Sequence, residues 1–267
     1  MQFAHVEGTR MPAAPRLNGR CPACSQPVIA KCGTRRVWHW AHKGKRSCDN
    51  WWERETLWHR RWKDEFPPEY QEVIHHASSG ERHIADVKTE HGLVIEFQHS
   101  YINPKEQWAR ERFYRNLVWV VDGTRLKGDL PRFLKGRKTF ARTPLPGVLA
   151  SHVPEECFPS AWLHSSALVA FDFEGALSGS ETSNPDTKLF CLLPGRADGR
   201  AILGWLPRRK FVNLARKQPH ILRSREIVTM LSEYYRSRRE LEARETRASY
   251  AKRFRRRRYK NRNRWRF

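Results

Sequence analysis

Two carboxylates occur in residues 83–100, HIADVKTEHGLVIEFQHS, where the side-chain pattern predicts buried strands. Asp86 and Glu96 are flanked there by Ile, Ala, Val, Leu and Phe. Burying an unpaired carboxylate is costly, so a bound partner has to compensate for that cost. A divalent cation is one such partner, because hard ions such as Mg²⁺ and Mn²⁺ prefer carboxylate oxygens.

The spacing of the two carboxylates predicts that they face each other across a hairpin. The segments RHIADVKT and LVIEFQ both alternate as strands do, and Gly92 closes the three-residue turn EHG between them, where a positive φ is wanted. In this register Thr89 lies opposite Leu93, and Asp86 lies opposite Glu96. Directly opposed like charges destabilise a sheet unless a cation binds between them.

The same alternation assigns the hairpin side chains to two faces. Asp86 and Glu96 share one face with Lys88, Val94 and Gln98. We expect the opposite face to point toward the core, because all of its side chains are apolar: Ala85, Val87, Leu93, Ile95 and Phe97.

A helix before the hairpin carries three more polar residues with regular spacing. Residues 51–66, WWERETLWHRRWKDEF, have a helical pattern that ends at the following Pro-Pro pair. Glu55, His59 and Lys63 recur at every fourth position and therefore share one face of this helix. A solvated helix face is the ordinary alternative.

The segments that follow predict the element order α-β-β-β-α-β. Strands are expected at EYQEVIHH, RHIADVKT and LVIEFQ, then a helix at NPKEQWARERFYRNL and a last strand at LVWVV. Asn103 is expected to cap the second helix, with Pro104 at its first position.

Cysteine and histidine residues near the start of the chain have the spacing of a zinc site. Cys21 and Cys24 form a Cys-Pro-Ala-Cys knuckle, and HWAH supplies further ligands about fifteen residues later. Two sets complete a tetrahedron, one with His39 and His42 and one with His42 and Cys48. We expect a structural Zn²⁺, because so short a segment has little core of its own. The alternative is a group of reduced Cys with two packed His side chains.

The charge of the chain indicates a polyanionic partner. The 267 residues include 51 Lys and Arg but only 28 Asp and Glu, a net charge of +23. Nucleic acid is the leading candidate, since phosphate contacts dominate such binding. Residues 252–266 carry ten Lys and Arg and no acid. The residues expected to contact phosphates there are Arg255, Arg256, Arg257, Arg258 and Lys260.

Composition also narrows the class of protein. Hydrophobic residues make up 39% of the chain, which is enough for a folded core. We find no apolar run of about 18 residues and therefore expect no membrane span. The first residues do not resemble a signal peptide, and we expect a cytoplasmic protein in which the six Cys are reduced or bind metal.

The hairpin arrangement resembles the core of the PD-(D/E)XK nucleases. In that family an Asp on one strand and a Glu on the next hold the metal, and a Lys two residues later helps to activate water. Asp86 and Glu96 match, whereas Gln98 stands at the Lys position. The resemblance implies Mg²⁺ or Mn²⁺ at Asp86 and Glu96, Glu55 in the metal shell and Gln98 orienting the attacking water. Because Gln is not a base, the metal is expected to do most of the activation.

The same resemblance implies supporting roles for residues around the hairpin. His59 and His83 are expected to contact the phosphate or the water. Lys63 or Lys88 is expected to restore the positive charge missing at the Lys position. Glu72 on the first strand is a further candidate for the metal shell.

Several motifs together resemble the CoiA-like competence protein family. They are CPAC, KCG…WHWAH, ETLWHRRWK, HIADV, IEFQHS, ERFY and VWVVDG, in this order over roughly residues 3–123. The resemblance implies a zinc-ribbon-like module joined to a restriction-endonuclease-like core, in a mixed α/β fold. It also implies work on incoming or recombining DNA, single-stranded or branched. A recombination protein or another DNA-processing protein is the candidate partner.

On this basis the chain divides into five regions. They are a zinc-ribbon-like module at 1–50, a nuclease core at 51–125, a linker or insertion at 126–158, a strand-rich region at 159–222, and a basic helix with an Arg-rich tail at 223–267.

Two other functions remain open at this point. A binding protein can use the same fold to hold DNA or junctions without cleaving them, and Gln98 in place of Lys favours it. A basic RNA-associated zinc protein explains the tail and the cysteines but not the carboxylate pair. Ordinary roles also exist for the acids: Asp86 can pair with Arg82, and Glu96 with Lys88.

Overall fold

The computed structural model describes residues 1–44, 48, 51, 53–77, 80–173 and 187–263, with side chains up to residue 253. Within these ranges the chain forms two β-sheets and six α-helices, which confirms the mixed α/β class. The smaller sheet comes from the first part of the chain. The larger sheet has nine strands and carries the hairpin of the two carboxylates.

The smaller sheet is antiparallel throughout, with the strand order β2-β1-β3-β4-β5. Its own core is small. Ala4, Val28 and Trp40 are buried, and Ile74 and Ile84 of the larger sheet pack against them. This module is therefore stabilised in part by the larger sheet. Its strands are β1 Phe3–Val6, β2 Thr9–Pro12, β3 Asn18–Arg20, β4 Pro27–Lys31 and β5 His39–His42.

The next segment has the predicted order α-β-β-β-α-β. Asn103 caps the second helix, because its side chain accepts a hydrogen bond from the N–H of Lys105 at 2.9 Å, and Pro104 follows it. The elements are α1 Leu57–Lys63, β6 Gln71–His76, β7 Arg82–Lys88, β8 Val94–Gln98, α2 Pro104–Phe113 and β9 Leu117–Asp122.

The first helix is shorter than its sequence pattern predicts. Residues 51–66 were expected to be helical, but Thr56 is the N-cap and accepts a hydrogen bond from the N–H of His59 at 3.3 Å. A hydroxyl that satisfies one of the first free N–H groups starts a helix at that point. Glu55 therefore lies in the extended segment before α1, not on its face.

The turn between β7 and β8 has the predicted geometry. The N–H of Thr89 donates to the carbonyl of Leu93 at 2.9 Å, and Gly92 has a φ of +76°. Val87 lies opposite Ile95. The predicted hairpin register is confirmed.

The rest of the chain extends the same sheet. The segment 126–158, expected as a linker or insertion, contains a helix and two strands. The sheet order is β10-β11-β14-β13-β12-β9-β8-β7-β6, and β9 runs parallel to both β8 and β12. The elements are α3 Asp129–Gly136, β10 Ala141–Arg142, β11 Val148–Ser151, α4 Ser160–Leu163, β12 Leu168–Asp172, β13 Lys188–Leu192, β14 Ala201–Pro207 and α5 Arg208–Lys217.

Both faces of the nine-stranded sheet are covered by apolar side chains. Trp62 of α1 and Phe211 of α5 belong to the core on one face, together with Phe97. Tyr114, at the end of α2, and Trp119 belong to the core on the other face. The central strands β8, β9 and β12 are consequently buried along their whole length.

A long helix, α6 Ser224–Asn263, completes the described chain. Its first turns pack through Leu231, which is buried, whereas residues 236–253 are exposed. The basic positions Arg255–Arg258 and Lys260 lie in this helix, but their side chains fall outside the described ones. No helix in the described ranges is both long and apolar enough to cross a bilayer.

Candidate functional site

Three carboxylates lie side by side across β6, β7 and β8. The β6–β7 register places Glu72 opposite Asp86, since Gln71 pairs with Val87 on one side of this row. The β7–β8 register continues the row to Glu96. The predicted pair is therefore part of a row of three acids on neighbouring strands.

At this row, the carboxylates of Asp86 and Glu96 accept hydrogen bonds from backbone N–H groups of the neighbouring strand. Oδ2 of Asp86 accepts a hydrogen bond from the N–H of Phe97 at 3.0 Å, and the N–H of Asp86 donates to Oε1 of Glu96 at 3.3 Å. Glu72 has a φ of +47°. A non-glycine residue keeps such a conformation only where its surroundings enforce it, and such positions cluster at functional sites.

The regular alternation of side chains along β7 is interrupted at Asp86. Val87 packs in the core next to α1, as expected. Ala85 was predicted on the same face, but it belongs to the core on the α2 side. That prediction is wrong because the alternation of side chains requires a regular strand, and β7 is irregular at Asp86.

Lys63 connects the row to the segment before α1. Its Nζ lies 2.8 Å from Oε1 of Glu55 and 3.0 Å from Oε1 of Glu72. Burial acts to lower the pKa of Lys63, but Glu72 and Glu55 raise it above its usual value. Burial acts to raise the pKa of Glu72, but Lys63 and the N–H groups of Gln2 and Phe3 help to lower it to about 2. Lys63 and Glu72 are thus both charged at neutral pH.

Glu96 has a cation of its own, which the sequence analysis missed. Nη1 of Arg110, on α2, lies 2.7 Å from Oε2 of Glu96. Arg110 also contacts Glu106 at 2.6 Å and the carbonyl of Trp51. Glu106 and Arg110 are four residues apart, a spacing that is typical of an ion pair on a helix surface. This spacing does not predict the buried contact of Arg110 with Glu96.

Asp86 differs electrostatically from the other acids of the row. Burial raises the pKa of Asp86, and this effect exceeds the opposing attraction of Lys63 and His59. A nearby cation would stabilise the charged form of such a buried carboxyl group.

His59 is fixed through both ring nitrogens. Nδ1 lies 2.9 Å from Oγ1 of Thr56, and Nε2 lies 2.9 Å from the carbonyl oxygen of Phe97. Nε2 also lies 3.6 Å from Oε2 of Glu53, another residue that the sequence analysis missed. Burial acts to raise the pKa of Glu53, but the hydrogen bond and charge of His59 help to bring it below its usual value.

Gln98 lies beside this group rather than within it. Its Nε2 donates to Oε2 of Glu53 and to the carbonyl of Ser100, both at 3.1 Å. Its Oε1 is buried and has no hydrogen-bond partner among the described residues. The water-orienting role of Gln98 stays a prediction.

These groups surround a cavity of about 60 Å³. The acids outnumber the cations Lys63 and Arg110 in its wall, so the cavity attracts positive charge. Among the described residues, no three of the carboxylate groups bring oxygens within 4.8 Å of one another. A metal bound here would therefore take part of its shell from water. The acids in the wall are Glu53, Glu55, Glu72, Asp86 and Glu96.

Two other candidates lie outside the wall of the cavity. His83 stacks on Trp51, with ring centroids 3.2 Å apart, and its Nε2 lies 3.0 Å from Oε1 of Glu81. Nζ of Lys88 lies 3.0 Å from Nδ1 of His75. Lys63, not Lys88, is the lysine that the fold brings to the carboxylates.

The cysteines and one histidine of the first module form a second group. The three Sγ atoms of Cys21, Cys24 and Cys48 and a ring nitrogen of His42 lie within 4.8 Å of one another. Sγ of Cys24 and Nε2 of His42 lie 3.3 Å apart. Such a Cys₃His set could bind a metal such as zinc.

Of the two predicted ligand sets, the structure assembles the one with Cys48. His39 and His42 begin and end β5, and residues three apart on a strand point to opposite faces. Nδ1 of His39 lies instead 2.9 Å from the carbonyl oxygen of Val37. Alternation along HWAH was the sequence signal that separates the two histidines.

The thiols of this group are hard to ionise on their own. Burial raises the pKa of Cys48 to about 12, and the neighbouring Cys21 and Cys24 add to the effect. Burial also raises the pKa of Cys21. A bound metal would favour the thiolate forms, because a metal replaces the thiol protons on binding.

Comparison with known families concerns the same part of the chain. Residues 17–50 match the family described as Competence protein CoiA, N-terminal domain. We refer to these residues as the CoiA-like segment. Comparison of the chain with curated proteins and with solved structures gave no match.

The CoiA-like segment lies close to the carboxylate cavity. Nη2 of Arg60, on α1, donates to the carbonyl of Trp38 at 3.1 Å. The N–H of Trp40 donates to the carbonyl of Met1 at 2.9 Å, and Met1 lines the cavity. Sδ of Met1 lies 3.6 Å from Sγ of Cys21. A single residue thus bridges the Cys₃His group and the cavity.

Proposed function

We propose that the chain is a metal-dependent DNA endonuclease with a PD-(D/E)XK-type site. The observation that carries this proposal is the row of Glu72, Asp86 and Glu96 on neighbouring strands, with Lys63 next to it. Hydrolysis of a phosphodiester needs acidic ligands for a cation and positive charge near the phosphate. The match of the CoiA-like segment to a competence protein supports DNA as the substrate.

Asp86 and Glu96 are the residues that would hold Mg²⁺ or Mn²⁺, with Glu55 as a further member of the shell. Carboxylate oxygens suit these ions, and the raised pKa of Asp86 indicates a position where an added cation is favourable. When bound, the ion would polarise the phosphate and lower the pKa of a coordinated water.

The remaining steps belong to side chains of this chain. Lys63 would offset charge that develops on the phosphate oxygens. Gln98 would help to orient the attacking water for in-line attack on phosphorus through Glu53, which lines the cavity and accepts a hydrogen bond from its Nε2. A second hydrogen bond, to the carbonyl of Ser100, fixes the amide group of Gln98.

The regions on either side of the core have supporting roles in this proposal. A structural Zn²⁺ would close the Cys₃His group and stabilise a module whose own core is small. The basic end of α6 would hold phosphates of the DNA without reading its sequence. The residues assigned to that contact are Arg255, Arg256, Arg257, Arg258 and Lys260.

A cleavage assay with a matched control tests the proposal. Labelled single-stranded, duplex and branched DNA is incubated with Mg²⁺ or Mn²⁺ and with wild type, Asp86→Ala or Glu90→Gln. Glu90 is an exposed acid in the turn beside Asp86, and its substitution removes a charge away from the cavity. We expect metal-dependent cutting by wild type and Glu90→Gln. Asp86→Ala should still bind DNA but not cut it.

A second candidate function is a DNA- or junction-binding protein with a nuclease-like fold. The contact of Arg110 with Oε2 of Glu96 favours it, because a protein cation already satisfies that oxygen. Tight binding by wild type and Asp86→Ala, with no cutting of any DNA, would support this function and overturn the nuclease. Cutting of RNA alone would instead identify a ribonuclease.

A further inference from the structure

A wider cleft opens beside the carboxylate cavity. It has a volume of about 740 Å³ and lies between the CoiA-like segment and the residues just before α1. Arg35 and Arg36 of the CoiA-like segment line one part of this cleft. Arg54, just before α1, and Arg125, just after β9, line another part. All four arginines are exposed to solvent. Guanidinium groups from two parts of the fold therefore converge on one groove.

The cleft and the cavity share a wall. Glu53 and Glu55 line both of them. Glu55 is already paired with Lys63 at 2.8 Å and with Arg60 at 3.0 Å, and Glu53 accepts a hydrogen bond from Gln98 at 3.1 Å. Because the four arginines outnumber these two carboxylates, and Glu55 is already paired with cations, an approaching anion meets a net positive charge in the cleft.

Two exposed aromatic residues directly follow residues of the cleft wall in the sequence. Trp38 is 46% exposed and follows Val37, which lines the cleft. Tyr101 is 68% exposed and follows Ser100, which also lines it. Arginines that track phosphates, combined with rings on which bases stack, are the chemistry that binds single-stranded nucleic acid.

We propose that this cleft binds single-stranded DNA and leads it to the carboxylate cavity. The arginines contact the phosphates, and Trp38 and Tyr101 stack on bases. The bases of a duplex stack on each other and do not offer their faces to these rings, so the cleft selects a single strand. Only the delivery of the strand to the cavity rests on the proposed function, because the cleft can bind DNA without cleaving it.

Binding is measured by fluorescence anisotropy over a series of salt concentrations. The probes are a labelled single-stranded oligonucleotide and the same sequence as a duplex. The full chain carrying Asp86→Ala, without added Mg²⁺, is the parent, so that cleavage does not alter the probe. Arg35→Ala/Arg36→Ala is the test variant. Arg137→Ala/Lys138→Ala is the control, since it removes the same charge from exposed positions that do not line the cleft.

We expect the test variant to bind the single strand more weakly, with a salt dependence reduced by about 1.4. This is because each phosphate contact to a single strand contributes about 0.7 to that slope. The control should keep the affinity and the slope of the parent. Trp38→Ala should weaken single-strand binding about fivefold or more at an unchanged slope, because it removes one stacked base. Far-UV circular dichroism checks the fold of each variant.

Three results would overturn the proposal that the cleft binds single-stranded DNA. They are an unchanged slope of the salt dependence in the test variant, an equal loss of affinity in the control, and tighter binding of the parent to the duplex than to the single strand. The two proposals fail in different ways. If wild type cuts no DNA but the cleft variants lose affinity, the nuclease proposal fails and the cleft proposal stands. If wild type cuts DNA but the cleft variants bind normally, the cleft proposal fails and the nuclease proposal stands.

Discussion

Nη1 of Arg110 lies 2.7 Å from Oε2 of Glu96, and the side chains are 7% and 4% exposed. This pair joins α2 to the middle of β8 and fixes the position of the buried carboxylate. Removing one partner of a buried pair leaves the other charge buried without compensation, which costs more than the pair itself contributes.

We therefore expect Arg110→Ala to lower the free energy of unfolding by about 3–5 kcal/mol. Arg112→Ala is the control, because Arg112 is exposed and its guanidinium stacks on Trp108 at the surface. It should cost about 1 kcal/mol or less. Urea unfolding followed by circular dichroism measures both variants.

A double variant separates the charge from the packing. Glu96→Gln in the Arg110→Ala background removes the uncompensated charge and should recover part of the lost stability. Equal destabilisation by Arg110→Ala and Arg112→Ala would show that the buried pair does not have this role.

Part of the acid sensitivity of the fold should depend on Asp122. Its Oδ2 lies 2.8 Å from Nδ1 of His99. Burial acts to raise the pKa of Asp122, but hydrogen bonds from His99 and Thr124 lower it below its usual value. A carboxyl with a lowered folded pKa stabilises the fold above its unfolded pKa, and this stabilisation is lost as pH falls toward the folded value.

The expected result is a loss of wild-type stability below about pH 4, the usual pKa of an Asp. Asp122→Asn should be less stable than wild type at pH 7 but should lose less on acidification. Unfolding at pH 3 to 7 is compared with Asp64→Asn, which changes an exposed acid. The same acid slope in wild type and Asp122→Asn would contradict this assignment.

Local patterns are sufficient to predict the hairpin that carries the site. Alternation along β7 and β8, with Gly92 in the turn, determines their register and therefore places Asp86 opposite Glu96. The α-β-β-β-α-β order follows from similar local signals, such as the Asn103 cap. These features depend on residues that are close in sequence.

Features that depend on distant residues are not predictable in this way. The contact of Arg110 with Glu96 requires the docking of α2 on the sheet, and the parallel pairing of β9 with β12 joins segments about 50 residues apart. Ala85 was placed on the wrong face because regular alternation fails at Asp86. Glu53 precedes the helix and carries no periodic signal.

The basic end of α6 should contribute affinity rather than catalysis. Replacing Arg255, Arg256, Arg257 and Arg258 by Gln should weaken DNA binding at moderate salt and lower the slope of its salt dependence, since fewer counterions are released. The cleavage rate at saturating DNA should remain unchanged, because the carboxylate cavity is untouched. Anisotropy and single-turnover cleavage measure the two effects. A lower saturating rate with unchanged affinity would assign the tail a role at the cavity instead.

The ligands of the Cys₃His group can be told apart from residues of the same type nearby. Cys48→Ser and His42→Asn each remove one of the atoms that lie within 4.8 Å of one another. Cys32→Ser and His39→Asn are the matched controls, because neither residue belongs to that group. A tetrahedral zinc site that loses one ligand binds its metal far more weakly. Zinc that remains bound after dialysis, measured by mass spectrometry, should fall in the first two variants and stay at the wild-type level in the controls. Loss of zinc in His39→Asn with retention in Cys48→Ser would restore the other ligand set that the sequence allowed.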